Sequence, residues 1–330
     1  MRWHGGLDWR ALPWLWALAC AILFGLRWRS PHAPFAKAAP GASVSTIQAG
    51  NSRIDITDEG SPAALLNTEI LPWIRAAADA VTTYYGRYPV PHVSIRVLPF
   101  AGQGIRGGRT FGREDGGAIR IRVGTDTTAA QFQSDWMMTH EMVHLSFPSL
   151  AEQHHWLEEG IATYVEPIAR VQAKELPAAE MWAELIRGLP QGLPQAGDQG
   201  LDNTHTWGRT YWGGALFCLL ADVGIRRATN NHKGLQDALR GILAAGGDIR
   251  HDWEVEKALT VGDRAVGVSV LMPLYERMKD KPVEVDLNAL WEQLGLQLQG
   301  NSVRFRDQAP LAATRIAITG APAPASPRGS

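Results

Sequence analysis

Between residues 62 and 85 the apolar side chains Leu65, Leu66, Ile70, Ile74, Ala77 and Val81 recur at helical spacing, which predicts a helix. The period then changes. Residues 93–98 alternate as a strand does. So does AIRIRV, residues 118–123, with Ile119, Ile121 and Val123 on one face and Arg120 and Arg122 on the other. Seven glycines fall between Gly102 and Gly117 and predict a mobile loop, placed to serve as a flap. Thr128-Ala-Ala-Gln131 fits a capping box. Phe132, Trp136 and Val143 supply an apolar stripe behind it, and Pro148 fits a stop, so one helix is expected there. Another is expected from about Trp156 to near Pro167. Residues 176–203 hold several Pro and Gly and are expected to be irregular in part. Residues 207–222 read as a helix, and further helical patterns lie near 234–244, 251–260, 268–279 and 286–294. This order predicts an α+β protein: an N-terminal mixed lobe with a small sheet, a central helix, and a mainly α-helical C-terminal lobe.

Both ends differ from this pattern. Residues 11–26, ALPWLWALACAILFGL, are sixteen residues without a charge, bounded by Arg10 on one side and Arg27 and Arg29 on the other. Trp9, Trp14, Trp16 and Trp28 suit the headgroup level of a bilayer. Residues 1–29 therefore read as an uncleaved single-pass membrane anchor in preference to a cleaved signal, with the rest of the chain on the non-cytoplasmic side; cleavage would make the product secreted. Residues 30–50, rich in Pro, Ala, Gly and Ser, read as a linker, and the globular part, 51–319, as beginning near Ile54. The tail 320–330 is expected to be disordered.

Composition adds exclusions. Thirty-three acidic residues nearly cancel 32 basic ones, which argues against a nucleic-acid partner. Cys20 and Cys218 sit in unrelated apolar segments, so no disulfide is expected.

The chemistry concentrates in residues 140–160, HEMVHLSFPSLAEQHHWLEEG. His140 and His144 are four apart, which on a helix puts both imidazoles on one face within reach of one ion. Glu141 is placed to reach a water held by that ion and to act as general base. A tetrahedral catalytic site needs a third protein ligand and an open position. Glu152, His154, His155, Glu158, Glu159 and Glu166 are candidates. Phe147 stands where a glycine would introduce a third histidine, so a glutamate on the following helix is the choice. Spacing permits both Glu158 and Glu159.

HEMVH followed by WLEEGIATYVE resembles the gluzincin metallopeptidases, and in particular the glycyl aminopeptidase type and the leucyl/alanyl aminopeptidases. The resemblance implies a thermolysin-like zincin catalytic domain, one Zn2+ per chain and Glu159 as third ligand. TYWGGALFCLLADVGIRRATN, residues 210–230, is similar to a second family segment, and implies that Tyr211 donates a hydrogen bond to the developing oxyanion. Gly213 stands where that segment has a lysine. The weaker likeness of residues 309–319 extends the resemblance over roughly residues 50–319. The family's G-x-M-E-N motif, whose glutamate holds a substrate's free amine, has no counterpart; the region offers only Glu114. Aminopeptidase and endopeptidase activity both remain open on this reading.

The function expected is a zinc metallopeptidase acting on peptide or protein substrates, with His140, His144 and Glu159 as ligands and Glu141 and Tyr211 as catalytic residues. Mixed N/O ligation suits zinc and also permits cobalt or manganese. AIRIRV is expected to be the edge strand of the cleft, able to pair with an extended peptide, with Arg120 or Arg122 near its side chains. The alternative function is a catalytically inactive, zinc-binding module that binds peptides or serves assembly at the membrane.

Overall fold

The computed structural model describes residues 42–320. The apolar run at 11–26 and the tail beyond Gly320 lie outside them. Among the described residues no helix is long and apolar enough to cross a membrane.

The chain opens with two antiparallel strands, β1 (Ser43–Ala49) and β2 (Ser52–Asp58). The linker expected over 30–50 is thus corrected over its last residues. Ile47 and Ala49 alternate inward from β1 and are buried, which gives the segment a sheet to join. A helical run starts at Ala63–Leu65, passes a π-turn at Leu66–Ile70 and continues as α1 (Leu71–Tyr85). Gly86, at φ 77°, ends it in the left-handed region that favours glycine. Strands β3 (His92–Phe100), β4 (Ile105–Arg113) and β5 (Gly116–Gly124) follow. The sheet order is β1-β2-β3-β5-β4, with β2, β3 and β5 parallel and both edge strands antiparallel to their neighbours.

Two expectations change here. The glycine-rich stretch is not one loop: most of it forms strand β4 and the start of β5, with a turn at 114–115 between them, and β4 rather than AIRIRV is the edge. β5, which contains AIRIRV, lies between β3 and β4. One face of the sheet buries Ile54, Ile56, Val93, Ile95, Val97, Ile119, Ile121 and Val123, against helices that include α1. Asp55, Thr57, Arg96, Arg120 and Arg122 occupy the other face.

The capping box forms as expected, with Thr128 and Gln131 bonded reciprocally, but it starts only the short α2 (Ala129–Gln133). The chain breaks at residues 134–136 and restarts as α3 (Met137–His144). Asp135 explains the restart. Its Oδ2 accepts from the Met138 N–H at 3.2 Å and from Trp73 Nε1 of α1 at 3.0 Å, so the start of α3 is tied to α1. Burial pushes the Asp135 carboxyl up to about 6, against these donors.

Helix α4 (His155–Gln172) runs through Pro167, where a stop was expected. A proline inside a helix costs about 3 kcal/mol. Tyr164, Val165, Ile168 and Ala169 are all buried around it, and their packing offsets that cost. Then come α5 (Ala178–Gly188), a π-turn at Gly208–Gly213 and α6 (Gly214–Ala228). The remainder is α7 (Leu235–Ala244), α8 (Val255–Val266), α9 (Leu271–Met278), α10 (Leu287–Leu294), an unforeseen hairpin of β6 (Leu296–Gln299) and β7 (Ser302–Phe305), and α11 (Ala312–Thr319). The result is a mixed α+β fold: a five-stranded sheet with α1 and α3, then a mainly helical lobe on α4 and α6.

Helices α4 and α6 meet through two glycines. A Cβ at Gly160 would lie 2.3 Å from the Gly214 carbonyl carbon, and one at Gly214 would lie 2.1 Å from the Trp156 carbonyl oxygen. Backbone therefore rests on backbone between these helices.

Candidate metal centre

His140 and His144 project from one face of α3, and Glu159 faces them from the first turns of α4. His140 Nε2 is 3.3 Å from His144 Nε2 and 3.2 Å from Glu159 Oε2, and His144 Nε2 is 3.4 Å from that same oxygen. The three donor atoms close a nearly equilateral triangle. Two bonds of about 2.0–2.1 Å meeting at the tetrahedral angle put their donors about 3.3 Å apart, so the triangle has the size of one face of a tetrahedral zinc site. Each imidazole Nε2 carries at most one proton, and one proton serves one partner well. Three mutual contacts of this length are thus better satisfied by a cation than by hydrogen bonds among themselves. The donor set, two imidazoles and one carboxylate, is the chemistry that zinc takes.

The electrostatics agree. Burial disfavours the Glu159 anion, but His144 and His140 outweigh it and hold its carboxyl well below the usual carboxylate range. Burial likewise disfavours a charged His144, and Glu159, with Glu141 and Glu158, more than offsets it and raises the imidazole.

Glu141 is held apart from this triangle by the edge strand. Thr110 of β4 places its hydroxyl 2.5 Å from Glu141 Oε2 and 2.9 Å from the Glu141 carbonyl oxygen. Gly108 lies against the same carboxylate; a Cβ there would be 2.4 Å from Oε1. Burial raises the Glu141 carboxyl above its usual value, against the pull of His144, His140 and the Thr110 bond. A carboxylate with a raised pKa is a stronger base once ionised.

Tyr211 sits in the π-turn before α6. Its ring stacks on His140, with centroids 6.4 Å apart, and on Trp207 at 5.8 Å. The structure thus brings together all five residues singled out from the sequence. It also separates Glu159 from Glu158, whose Oε1 accepts the Leu150 N–H at 2.7 Å and so points away from the centre. The other ligand candidates are engaged elsewhere or exposed. His154 Nδ1 lies 3.0 Å from Asp202, Glu166 pairs with Arg170 at 3.0 Å, and Glu152 is exposed. Glu114 is exposed in the turn between β4 and β5.

Two contributors, Gly108 and Thr110, escaped the sequence reading, and a third, His155, entered it only as a candidate ligand and not as a partner of Glu159. His155 lies with Nε2 3.1 Å from Glu159 Oε1, the oxygen not facing the two histidines. Its i,i+4 spacing to Glu159 was the available signal. Gly108 and Thr110 gave none, because the stretch that holds them did not read as a strand. His155 fixes the orientation of Glu159. His155→Ala is expected to weaken zinc binding about 10–100-fold, while His155→Gln retains most of it. Competition with a chromogenic chelator checks this.

No known family pattern matches the chain, and no curated relative matches it. Solved structures do. An aminopeptidase N family protein from Idiomarina loihiensis superposes with a TM-score of 0.58 at 11% identity, over 82% of this chain and 53% of that one. An M1 zinc metallopeptidase from Deinococcus radiodurans gives 0.47 at 16% identity, over 74% of this chain and 52% of that one. The chain thus spans about half the length of these structures. Its fold is gluzincin aminopeptidase-like.

Proposed function

We propose that the protein is a zinc-dependent metallopeptidase of thermolysin-like zincin type. The triangle of His140 Nε2, His144 Nε2 and Glu159 Oε2, at 3.2–3.4 Å per side, carries this reading. His140, His144 and Glu159 hold the ion. Bound there, zinc supplies Lewis acidity, acidifying water and polarising a carbonyl. Glu141 takes a proton from the attacking water as its oxygen bonds to the scissile carbon. The same carboxyl then delivers that proton to the leaving nitrogen as the C–N bond breaks. Thr110 and Gly108 fix the Glu141 carboxylate for both transfers. The Tyr211 hydroxyl donates to the oxyanion. Tyr211→Phe is expected to lower kcat about 10²–10³-fold with zinc content unchanged, as measured by steady-state kinetics beside elemental analysis.

The direct test is the metal content of the full chain, wild type against Glu159→Ala and Glu158→Ala, followed by assay on N-terminally free and blocked peptides. The expected result is about one zinc per chain, much reduced in Glu159→Ala alone, with peptide cleavage that follows the zinc. A wild-type protein that takes up no zinc when it is supplied overturns the reading. Cleavage of blocked peptides would assign endopeptidase activity, and cleavage of free ones alone an aminopeptidase.

A further inference from the structure

Strand β4 has a second chemical face. Arg106 stands opposite Arg122 of β5, and Arg109 opposite Arg120. Residues directly opposite share a face, so four guanidinium groups occupy one side of this strand pair. None of the four has an acidic partner among the described residues. Like charges in register destabilise a sheet. The spacing of Arg106 and Arg109 would normally put them on opposite faces. A register shift between them, with Gly107 at φ 59°, inserts the extra residue that returns both to the same side. Phe100 holds two of the four, with Arg106 4.8 Å and Arg122 5.4 Å from its ring centre.

The same strand walls the candidate centre, since Thr110 and Gly108 touch Glu141 from its other side. β4 is the last strand of the sheet, and among the described residues no backbone–backbone bond ties residues 105–111 to any segment but β5; the Gly108 N–H alone is turned inward, donating to Met137 Sδ of α3 at 3.2 Å. An extended chain added to this edge would put alternate side chains on the arginine face and the rest toward Glu141. β4 carries three arginines and no acidic residue. This edge attracts carboxylates and repels ammonium groups.

We propose that the Arg106/Arg109/Arg120/Arg122 face selects peptide substrates with acidic side chains, held as a sixth strand along β4. The proposal rests on the peptidase reading and names the substrate class of that same site. Lys-rich segments are poor substrates, because their side chains on this face meet only positive charge.

The test uses N-blocked peptides of one length with Glu, Gln or Lys flanking the scissile bond. Wild type is expected to prefer Glu over Gln by roughly tenfold in kcat/KM, and Gln over Lys. Arg109→Glu and Arg120→Glu each turn a repulsive cross-strand pair into an attractive one, so folding is not threatened. Each is expected to erase the Glu preference, read as the Glu-to-Gln ratio of kcat/KM within each variant, so that a uniform loss of activity does not count toward it. Binding of the Glu and Gln peptides to Glu141→Gln protein, read by fluorescence anisotropy, should show the same order. Equal rates for the three peptides, or a preference that survives both variants, overturns the proposal. So does arginine-dependent binding to phosphatidylserine vesicles without peptide discrimination, which would make the face a lipid contact. If wild type cleaves neither these peptides nor their N-terminally free counterparts, the hydrolase reading fails by itself. Anisotropy then decides the arginine proposal: equal binding of the two peptides overturns it, and preferential binding of the Glu peptide upholds it.

Discussion

Replacing Glu141 by glutamine is expected to lower kcat by about 10²–10⁴-fold, the range that a positioned general base contributes, with zinc content unchanged. The substitution keeps the shape of the side chain and an oxygen able to accept the Thr110 hydroxyl, now 2.5 Å from Oε2. It removes the one group in the centre placed to accept a proton and then return it. The proposed ligand atoms lie on His140, His144 and Glu159, so zinc uptake is not expected to depend on Glu141. Steady-state kinetics beside elemental analysis gives the answer. Activity retained at the wild-type level would show that proton transfer runs through another group, and would remove Glu141 from the mechanism.

Gly160→Ala is expected to destabilise the protein by about 1–3 kcal/mol or more, the usual cost of overpacking a filled interior. The added methyl meets Gly214 Cα at 2.4 Å and its carbonyl carbon at 2.3 Å. Both are backbone atoms, so no side-chain rotation relieves the clash. Helices α4 and α6 must move apart. Glu159 is the residue before Gly160, and Tyr211 lies just ahead of α6, so this separation reaches the centre directly. Thermal unfolding and zinc affinity should fall together, by several degrees in Tm on a chain of this size. An unchanged Tm would mean that the two helices are not locked by this contact.

The parts of the site legible in the sequence are those set by local geometry. The i,i+4 spacing in HEMVH and the neighbouring Glu141 follow from helix periodicity alone. Glu159 is harder, because Glu158 beside it differs only by a rotation of about 100°. Likeness to a known motif chose between them, and the structure gives a physical reason in the Leu150 N–H that occupies Glu158. β4 was not legible. Its glycines serve tertiary contacts: Gly108 admits the Glu141 carboxylate, and Gly112 lies where a Cβ would be 2.2 Å from the Ile249 carbonyl oxygen. No local strand preference announces such positions. With β4 read as a loop, the edge was assigned to AIRIRV, and the pairing of Arg109 with Arg120 stayed hidden. β1 was lost for a related reason. Its buried residues, Ile47 and Ala49, are too few to outweigh the linker-like composition around them. Helix α4 outlasts its proline because packing, not propensity, holds it.

The sheet order also has a mechanical side. The chain enters the sheet at β1, and β4, the wall of the cleft, is the opposite edge. Four strand spacings, or about 19 Å, separate them. β1 pairs with β2 alone. A pull transmitted through the residues ahead of Ser43 therefore loads an outer strand first, and peeling β1 dissipates it before β3 or β5 is strained. For any load applied ahead of Ser43, the sheet would act as a shock absorber that keeps the Glu141 wall still.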